Sequence, residues 1–561
     1  RMILDSNSRI SLSNNDSGSE GNTLFGKSAG NSIASGAYYN ASFGHLALQD
    51  ATTGDRNTAL GSQALYRNVT GSNNTAVGTD SMLGVASNSH SNNTAVGTYS
   101  LMAITTGSGN SILGTSAGKS ISDGGSNVVI GSEAQRDENV SDTVIIGERA
   151  GLYNSGNDNT LVGHEAGRNS GSGTAQVYLG ESAGYGATAN GDIAIGQSAM
   201  YAGPTGGGNY AIGRYAMMDA NAGSNSLAST SNIAIGQSAL GGTWVDTASN
   251  YNTAIGHLSM DSALDGALYN VSLGYVSLSA ITTADNNVAL GAGSLQELTT
   301  GESNIAIGRA SMNVHGTGSY NIAIGSFAMD DTDAGSTSKS SQHNIFIGLN
   351  AGGGTWTDVA SNYNVAIGNY SMDSPLDGAL NNTSVGYESL SSVTTGDNNT
   401  AIGSNAGLAL TSGARNVIVG KQTAAALTTG TNNVVLGVSA MSAADGLERE
   451  NIAIGYYAGG AVNSDSAIRN VFIGESAGYG GTGALNYSVA IGYGALKSTA
   501  TNGLSGAVAI GYEALTALTS GSSNTAIGYQ AGKALTTSGN NVAIGYDSLI
   551  SAVDSCNSNV A

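Results

Sequence analysis

Large apolar residues recur immediately before a glycine along almost the whole chain, as at Phe25, Val77, Ile130, Leu179, Ile235, Ile367 and Ile544. Three places before the same glycine most copies carry Thr, Val or Ile, as at Thr75, Val128, Ile305 and Val489. A spacing of two puts both residues on one face of an extended strand, which β-branched side chains suit. Together they form a five-residue motif, Asn-x-Ala-Ile-Gly or a close variant, from Asn22-Thr23-Leu24-Phe25-Gly26 to Asn541-Val542-Ala543-Ile544-Gly545. There are 30 copies, most often 17 residues apart. A fixed period of that length predicts stacked coils. The expected fold is all-β, a parallel β-roll or β-solenoid of about 30 short coils.

Other positions refine the coil. Asn stands four before the glycine in 25 of 30 copies, where stacked amides can form a ladder along the axis. The glycines, represented by Gly78, Gly236, Gly348 and Gly545, are read as turn residues that supply a positive φ. Three after the glycine comes Ala or Ser in 29 copies, with Thr423 the exception, which implies a close approach of two backbones. Two before the glycine, the residue is small in 20 copies and bulky in ten. Four after it, 17 of the 20 small cases carry Leu or Met (Ala59 with Leu65, Ala211 with Met217), whereas seven of the bulky cases carry Gly (Leu24 with Gly30, Tyr178 with Gly184, Phe472 with Gly478). Trading one large residue for another at constant volume predicts that the two positions touch, within a coil or across a subunit boundary. Ala401, Ala453 and Ala526 pair with Gly407, Gly459 and Gly532, so those three coils are expected to be looser.

Residues 1–20 lack the motif; Met2-Ile3-Leu4 and Ile10-Ser11-Leu12 read as a pair of capping strands, and 21–561 as the repeat rod. Within the rod, 214–325 and 326–437 are a duplicated six-coil block, with Gly241-Gly242-Thr243-Trp244-Val245-Asp246 answered by Gly353-Gly354-Thr355-Trp356-Thr357-Asp358. The chain opens with Arg1 before Met2 and closes on Asn559-Val560-Ala561, the start of another motif, so it is expected to continue beyond 561 in a parent protein. A coil of this length encloses two or three apolar side chains, thin cover for one chain, and the traded positions are expected to need a partner. Three chains about one axis, an intertwined or side-by-side homotrimer, would supply it. Stacked at about 4.8 Å, the coils would span roughly 140 Å.

Composition changes this picture little. Gly is 84 residues of 561 but falls in register, and the chain is rich in Val, Ile and Thr, so it does not read as disordered. A net charge of −21 argues against nucleic-acid binding. No apolar run of about 18 residues suggests membrane insertion. One cysteine, Cys556, excludes an intrachain disulfide framework.

The repeats resemble the head repeats of trimeric autotransporter adhesins, most closely at Ser488-Val489-Ala490-Ile491-Gly492-Tyr493-Gly494-Ala495. The same unit occurs in bacteriophage tail fibres, whose sequences the stretch Met2 to Leu12 also resembles. Longer coils, and no stalk heptads or membrane anchor within the sequence, favour the fibre over the adhesin. The resemblance implies a homotrimer, exposed on a virion tail and extracellular, that meets a host cell-surface glycan or receptor at one end and a virion tail or baseplate protein at the other. The alternative it leaves is a bacterial cell-surface adhesin or extracellular filament subunit.

Chemistry is hard to find. Gly-x-Ser-x-Gly occurs at 26–30, 114–118, 180–184 and 474–478, but four copies inside the repeat's own turn read as structure, not as a nucleophile elbow. Six scattered histidines show no metal-ligand spacing. No catalytic residue, metal or cofactor is expected, and Asp246 and Asp358 are the loop acids a glycan-cleaving alternative would have to use. Tyr493, Tyr512, Tyr529 and Tyr546, each following a motif glycine, are candidates for stacking on sugar rings or for a ladder that stiffens the rod. Trp244 and Trp356, in the duplicated loops, are candidates for glycan contact or for loop anchors.

Overall fold

The computed structural model describes residues 21–85, 88–220, 228–332, 337–499, 503–551 and 557–561. The expected capping strands at Met2–Leu4 and Ile10–Leu12, and Cys556, lie outside these residues. The chain forms two compact units, one running to Val276 with Ile281–Thr283, the other comprising Ser277–Ala280 and Ala284–Ala561. Each unit is a parallel β-solenoid.

In the first unit, fifteen three-residue strands follow one another from Thr23–Phe25 to Val271–Leu273. Each pairs in parallel and in register with the next, as in Thr58↔Thr75, Ala59↔Ala76 and Leu60↔Val77. In the second unit, motif strands run in the same way from Val288–Leu290 to Val542–Ile544, as in Ile305↔Ile322, Ala306↔Ala323 and Ile307↔Ile324. A side pair, Leu485–Asn486 with Leu504–Ser505, adds a short second ladder. No α-helix occurs among the described residues. No helix there is long and apolar enough to cross a membrane.

The strand is short because its neighbours are fixed. Before it, the Asn column forms a buried ladder, interrupted at Thr143, Gln176, Asp192, Ser488 and Ala507. Asn40 Oδ1 accepts from Asn57 N at 2.9 Å and Asn57 Nδ2 at 3.1 Å, while Asn57 Nδ2 also donates to Gly71 O at 2.9 Å. The next rung repeats it, with Asn74 N and Nδ2 both 3.0 Å from Asn57 Oδ1. On these rungs every amide group has a partner, which offsets the cost of burying them. After the strand, Gly78, Gly236, Gly348 and Gly545 take φ of +133°, +137°, +141° and +127°, a region essentially reserved for glycine.

The turn that follows alternates handedness. Residues two and four after the glycine adopt left-handed backbone, as at Gln63 (φ 56°) and Leu65 (φ 52°). This alternation points successive amides to opposite neighbours: Gln63 N donates back to His45 O at 2.8 Å, and Leu65 N forward to Ser81 O at 3.0 Å. Left-handed geometry costs a non-glycine residue about 1 kcal/mol. The inter-coil hydrogen bonds over-determine it and hold it in place.

The central strand residue points inward and its two neighbours outward, as in Thr58–Leu60 and Tyr210–Ile212. The interior of a coil is then that residue, the small residue three after the glycine, the residue four after it and often an aliphatic one seven after it; Ala95, Ser100, Leu101 and Ile104 are all fully buried. The traded positions meet within the chain. A Cβ on Gly118 would lie 3.4 Å from Ile112, and one on Gly352 would lie 2.6 Å from the Phe346 ring, so the bulky strand residue occupies the space vacated by Leu or Met. They need no partner chain, contrary to the expectation above. Nor are the three expected loose coils hollow. Leu390 and Ile418 close over Gly407, Met441 and Phe472 over Gly459, and Leu515 and Leu535 over Gly532. Bulk is balanced between coils as well as within them.

Candidate functional site

With the interior closed, the outward strand residues form an uncovered apolar face in each unit. Phe25, Leu60 and Leu113 in the first unit are about half exposed, as are Leu290, Ile402 and Ile544 in the second. Because the strands are in register, these residues stack into two parallel columns, one just before the glycine and one three before it. Contiguous apolar surface of this kind marks an interaction face.

The four C-terminal tyrosines do form a ladder. Ring centroids are 5.2 Å from Tyr493 to Tyr512, 5.2 Å from Tyr512 to Tyr529 and 5.0 Å from Tyr529 to Tyr546, with planes within 12° of parallel. Rings stacked this way cover one another's faces and leave edges and hydroxyls outward. A sugar packs on a face, so the geometry suits stiffening better than glycan contact. Tyr493 and Tyr546, at the two ends of the stack, each have one ring neighbour, and Tyr546 is 75% exposed. Tyr512→Ala, which removes the stacking contacts with Tyr493 and Tyr529, is expected to cost about 1–2 kcal/mol locally, read as faster amide exchange in Val508–Ile510 and Thr525–Ile527.

The tryptophans are not on the surface, contrary to the expected glycan contact. Trp244 and Trp356 are both fully buried and anchor the duplicated loops. Trp356 packs edge-on to Phe346 at 5.7 Å and donates from Nε1 to Gly352 O at 3.0 Å. The loops close alike: Thr243 Oγ1 lies 2.9 Å from Asp219 Oδ2, and Thr355 Oγ1 2.7 Å from Asp331 Oδ2. Asp246 and Asp358 are exposed in these loops. The serines of the Gly-x-Ser-x-Gly stretches, such as Ser28 and Ser182, sit at the left-handed turn position (φ 59° and 55°). Among the described residues no group of three or more His, Cys, Asp or Glu could hold a metal ion.

One cluster escaped the sequence reading. Tyr370, Asp373, Ser374, Tyr387, Glu388 and Ser391 line a cavity of about 510 Å³ in the second unit. The two rings meet at 84° with centroids 6.1 Å apart. Tyr387 hydrogen-bonds Glu388, and Asn405 Nδ2 donates to Glu388 Oε2 at 2.8 Å. Burial, and then the nearby Glu388 charge, push the Asp373 carboxyl up to about 6. The signal was available in the duplicated block, where Leu258 and Val276 stand at the positions of Tyr370 and Glu388.

No protein-family model matches the chain, and no curated protein matches it at a significant level.

Proposed function

We propose that this chain is a structural fibre protein, the shaft of a phage tail fibre that assembles as a homotrimer and mediates attachment to the host-cell surface. The observation that carries the reading is the uncovered apolar face. In each unit its two in-register columns repeat on coil after coil, so a second and third copy of the same chain offer a partner of identical period for that unit's face. The chain closes its own core, so assembly covers that face rather than completing the interior. Acidic charge, only 10% charged residues and a surface of Ser, Thr and Asn suit a soluble, exposed filament without catalysis. The resemblance at Ser488–Ala495 supports both the trimer and the surface role. A bacterial surface adhesin or filament subunit of the same architecture is the second reading, since the same residues support it.

Sedimentation tests the assembly: the reading expects a particle three times the 55.6 kDa chain mass. Replacing Ile305, Ile307, Ile322 and Ile324 together by Lys places unpaired charge on the face and is expected to shift the population toward monomer while the far-ultraviolet β signal persists. A wild-type chain that stays monomeric at micromolar concentration would sink the trimer. Cryo-electron microscopy of the native particle without imposed symmetry then separates the two roles. A threefold rod on a virion tail supports the fibre; a rod rooted in a cell envelope supports the adhesin.

A further inference from the structure

The cavity beside Tyr370 and Asp373 carries negative charge without a cation of its own. Neither Asp373 nor Glu388 makes an ion pair among the described residues, and no Lys, Arg or His lines the cavity. Asp373 is half-buried and its carboxylate accepts no hydrogen bond from a described residue. Leaving such a carboxylate unpaired is unfavourable, more so with a second one beside it. The two remaining walls are tyrosine rings set at 84°, whose faces attract cations through the ring quadrupole.

The duplicated block provides an internal comparison. Asp261, Ser262, Tyr275 and Ser279 stand where the later block has Asp373, Ser374, Tyr387 and Ser391. In the earlier block burial raises the Asp261 carboxyl, and His257 lies close enough to oppose that shift. In the later block that histidine is Asn369, Leu258 has become Tyr370 and Val276 has become Glu388. A neighbouring histidine has been exchanged for asparagine, and a second acid and a second ring have been added to an otherwise similar frame. The later block therefore sets two acids and two rings around one cavity with no basic side chain lining it.

We propose that the cavity lined by Tyr370, Asp373, Tyr387 and Glu388 binds an organic ammonium group, as carried by amino sugars or choline-substituted polymers. The two carboxylates meet the positive charge, the rings pack against the methylene or methyl groups around it, and Ser374 and Ser391 offer hydroxyls to the rest of the ligand. A volume of about 510 Å³ is that of a small-ligand site. The cavity is built from the segment after the turn glycine, whereas the apolar face is built from the strand, so the proposal stands apart from the assembly reading.

The test is calorimetric titration of the full chain with choline, glucosamine, N-acetylglucosamine and 3,3-dimethyl-1-butanol, the last an uncharged isostere of choline. Choline or glucosamine is expected to bind with a dissociation constant of about 0.1–1 mM, and both neutral compounds at least about tenfold more weakly. Preference for choline identifies a quaternary ammonium source, and preference for glucosamine a primary one. Tyr370→Leu and Glu388→Val restore residues the earlier block already carries, so both are expected to fold and to weaken binding about tenfold or more. Equal binding of charged and neutral probes, undiminished binding in both variants, or no binding of either cation at about 20 mM would overturn the proposal. Sedimentation of the same samples keeps the questions separate: a trimer that ignores ammonium leaves the fibre reading standing, and a monomer that binds it leaves the site standing.

Discussion

Replacing Gly236 with alanine is expected to open the first unit locally at a cost of about 4 kcal/mol or more, whereas the same change at Gly545 is expected to cost about 1–3 kcal/mol. Both glycines hold a φ that side chains rarely adopt, +137° and +127°. They differ in what a methyl group would meet. At Gly236 it would fall 2.6 Å from the carbonyl carbon of Gly256, the corresponding glycine of the next coil. At Gly545 it would meet nothing within 4 Å. The obstacle at Gly236 is backbone, so no rotamer relieves it and the coils must part. Parting two coils breaks the hydrogen bonds that hold the left-handed turn residues, among them Leu240 N to Ser259 O at 3.0 Å. Because a solenoid's stability is a sum over neighbouring coils, the damage is local. Hydrogen exchange should accelerate in Ile233–Ile235 and Thr253–Ile255 while distant strands stay protected. Equal effects at the two glycines would show that backbone strain alone, and not the stacking of glycine on glycine, sets the cost.

Asp192→Asn is expected to stabilise the first unit by about 2–4 kcal/mol at pH 8 and by much less at pH 5. Asp192 occupies the Asn column and is fully buried. Its Oδ1 accepts from Asn209 N at 2.9 Å as an Asn would, but Oδ2 has no partner, because a carboxylate cannot supply the donor that the amide Nδ2 supplies on other rungs. Burial, outweighing hydrogen bonds from Asn209 and Gly208, raises its pKa from 3.8 to about 7. Well below pH 3.8 folded and unfolded chains both carry the proton and the acid costs little. As the pH rises toward 7 the unfolded chain loses its proton while the folded one retains it, so stability falls; above 7 the loss is complete. Asparagine removes that dependence. Thermal unfolding of both proteins at pH 5 and pH 8 measures it, and an equal gain at the two values would mean the carboxyl is not protonated in the column.

Much of this was legible in a single sequence because the chain compares itself with itself. Thirty copies of one motif separate the fixed positions from the free ones, so the stacked coils, the Asn ladder and the contact of Leu or Met with the residue opposite follow from the pattern alone. The block duplication was readable for the same reason. The site was less legible. Tyr and Glu stand at this position in other coils too, as at Tyr99 and Glu133, so the meaning of Tyr370 and Glu388 depends on Asp373 and Tyr387 lying beside them. Spacing marked the four tyrosines as a column but could not tell whether their ring faces would be open or covered.

The sequence by itself determined the period, the solenoid class and the inward volume balance, since each is a local rule repeated until it admits one solution. Tertiary structure decided direction. It turned the strand's central residue inward and the Ile, Val and Thr beside it outward, because the interior has room for one strand side chain per coil once the turn has contributed its own. It buried Trp244 and Trp356, where loop closure offers each ring more apolar contact than the surface does. It also made the glycine column a point of backbone-to-backbone contact, a constraint set by the neighbouring coil and absent from any single repeat.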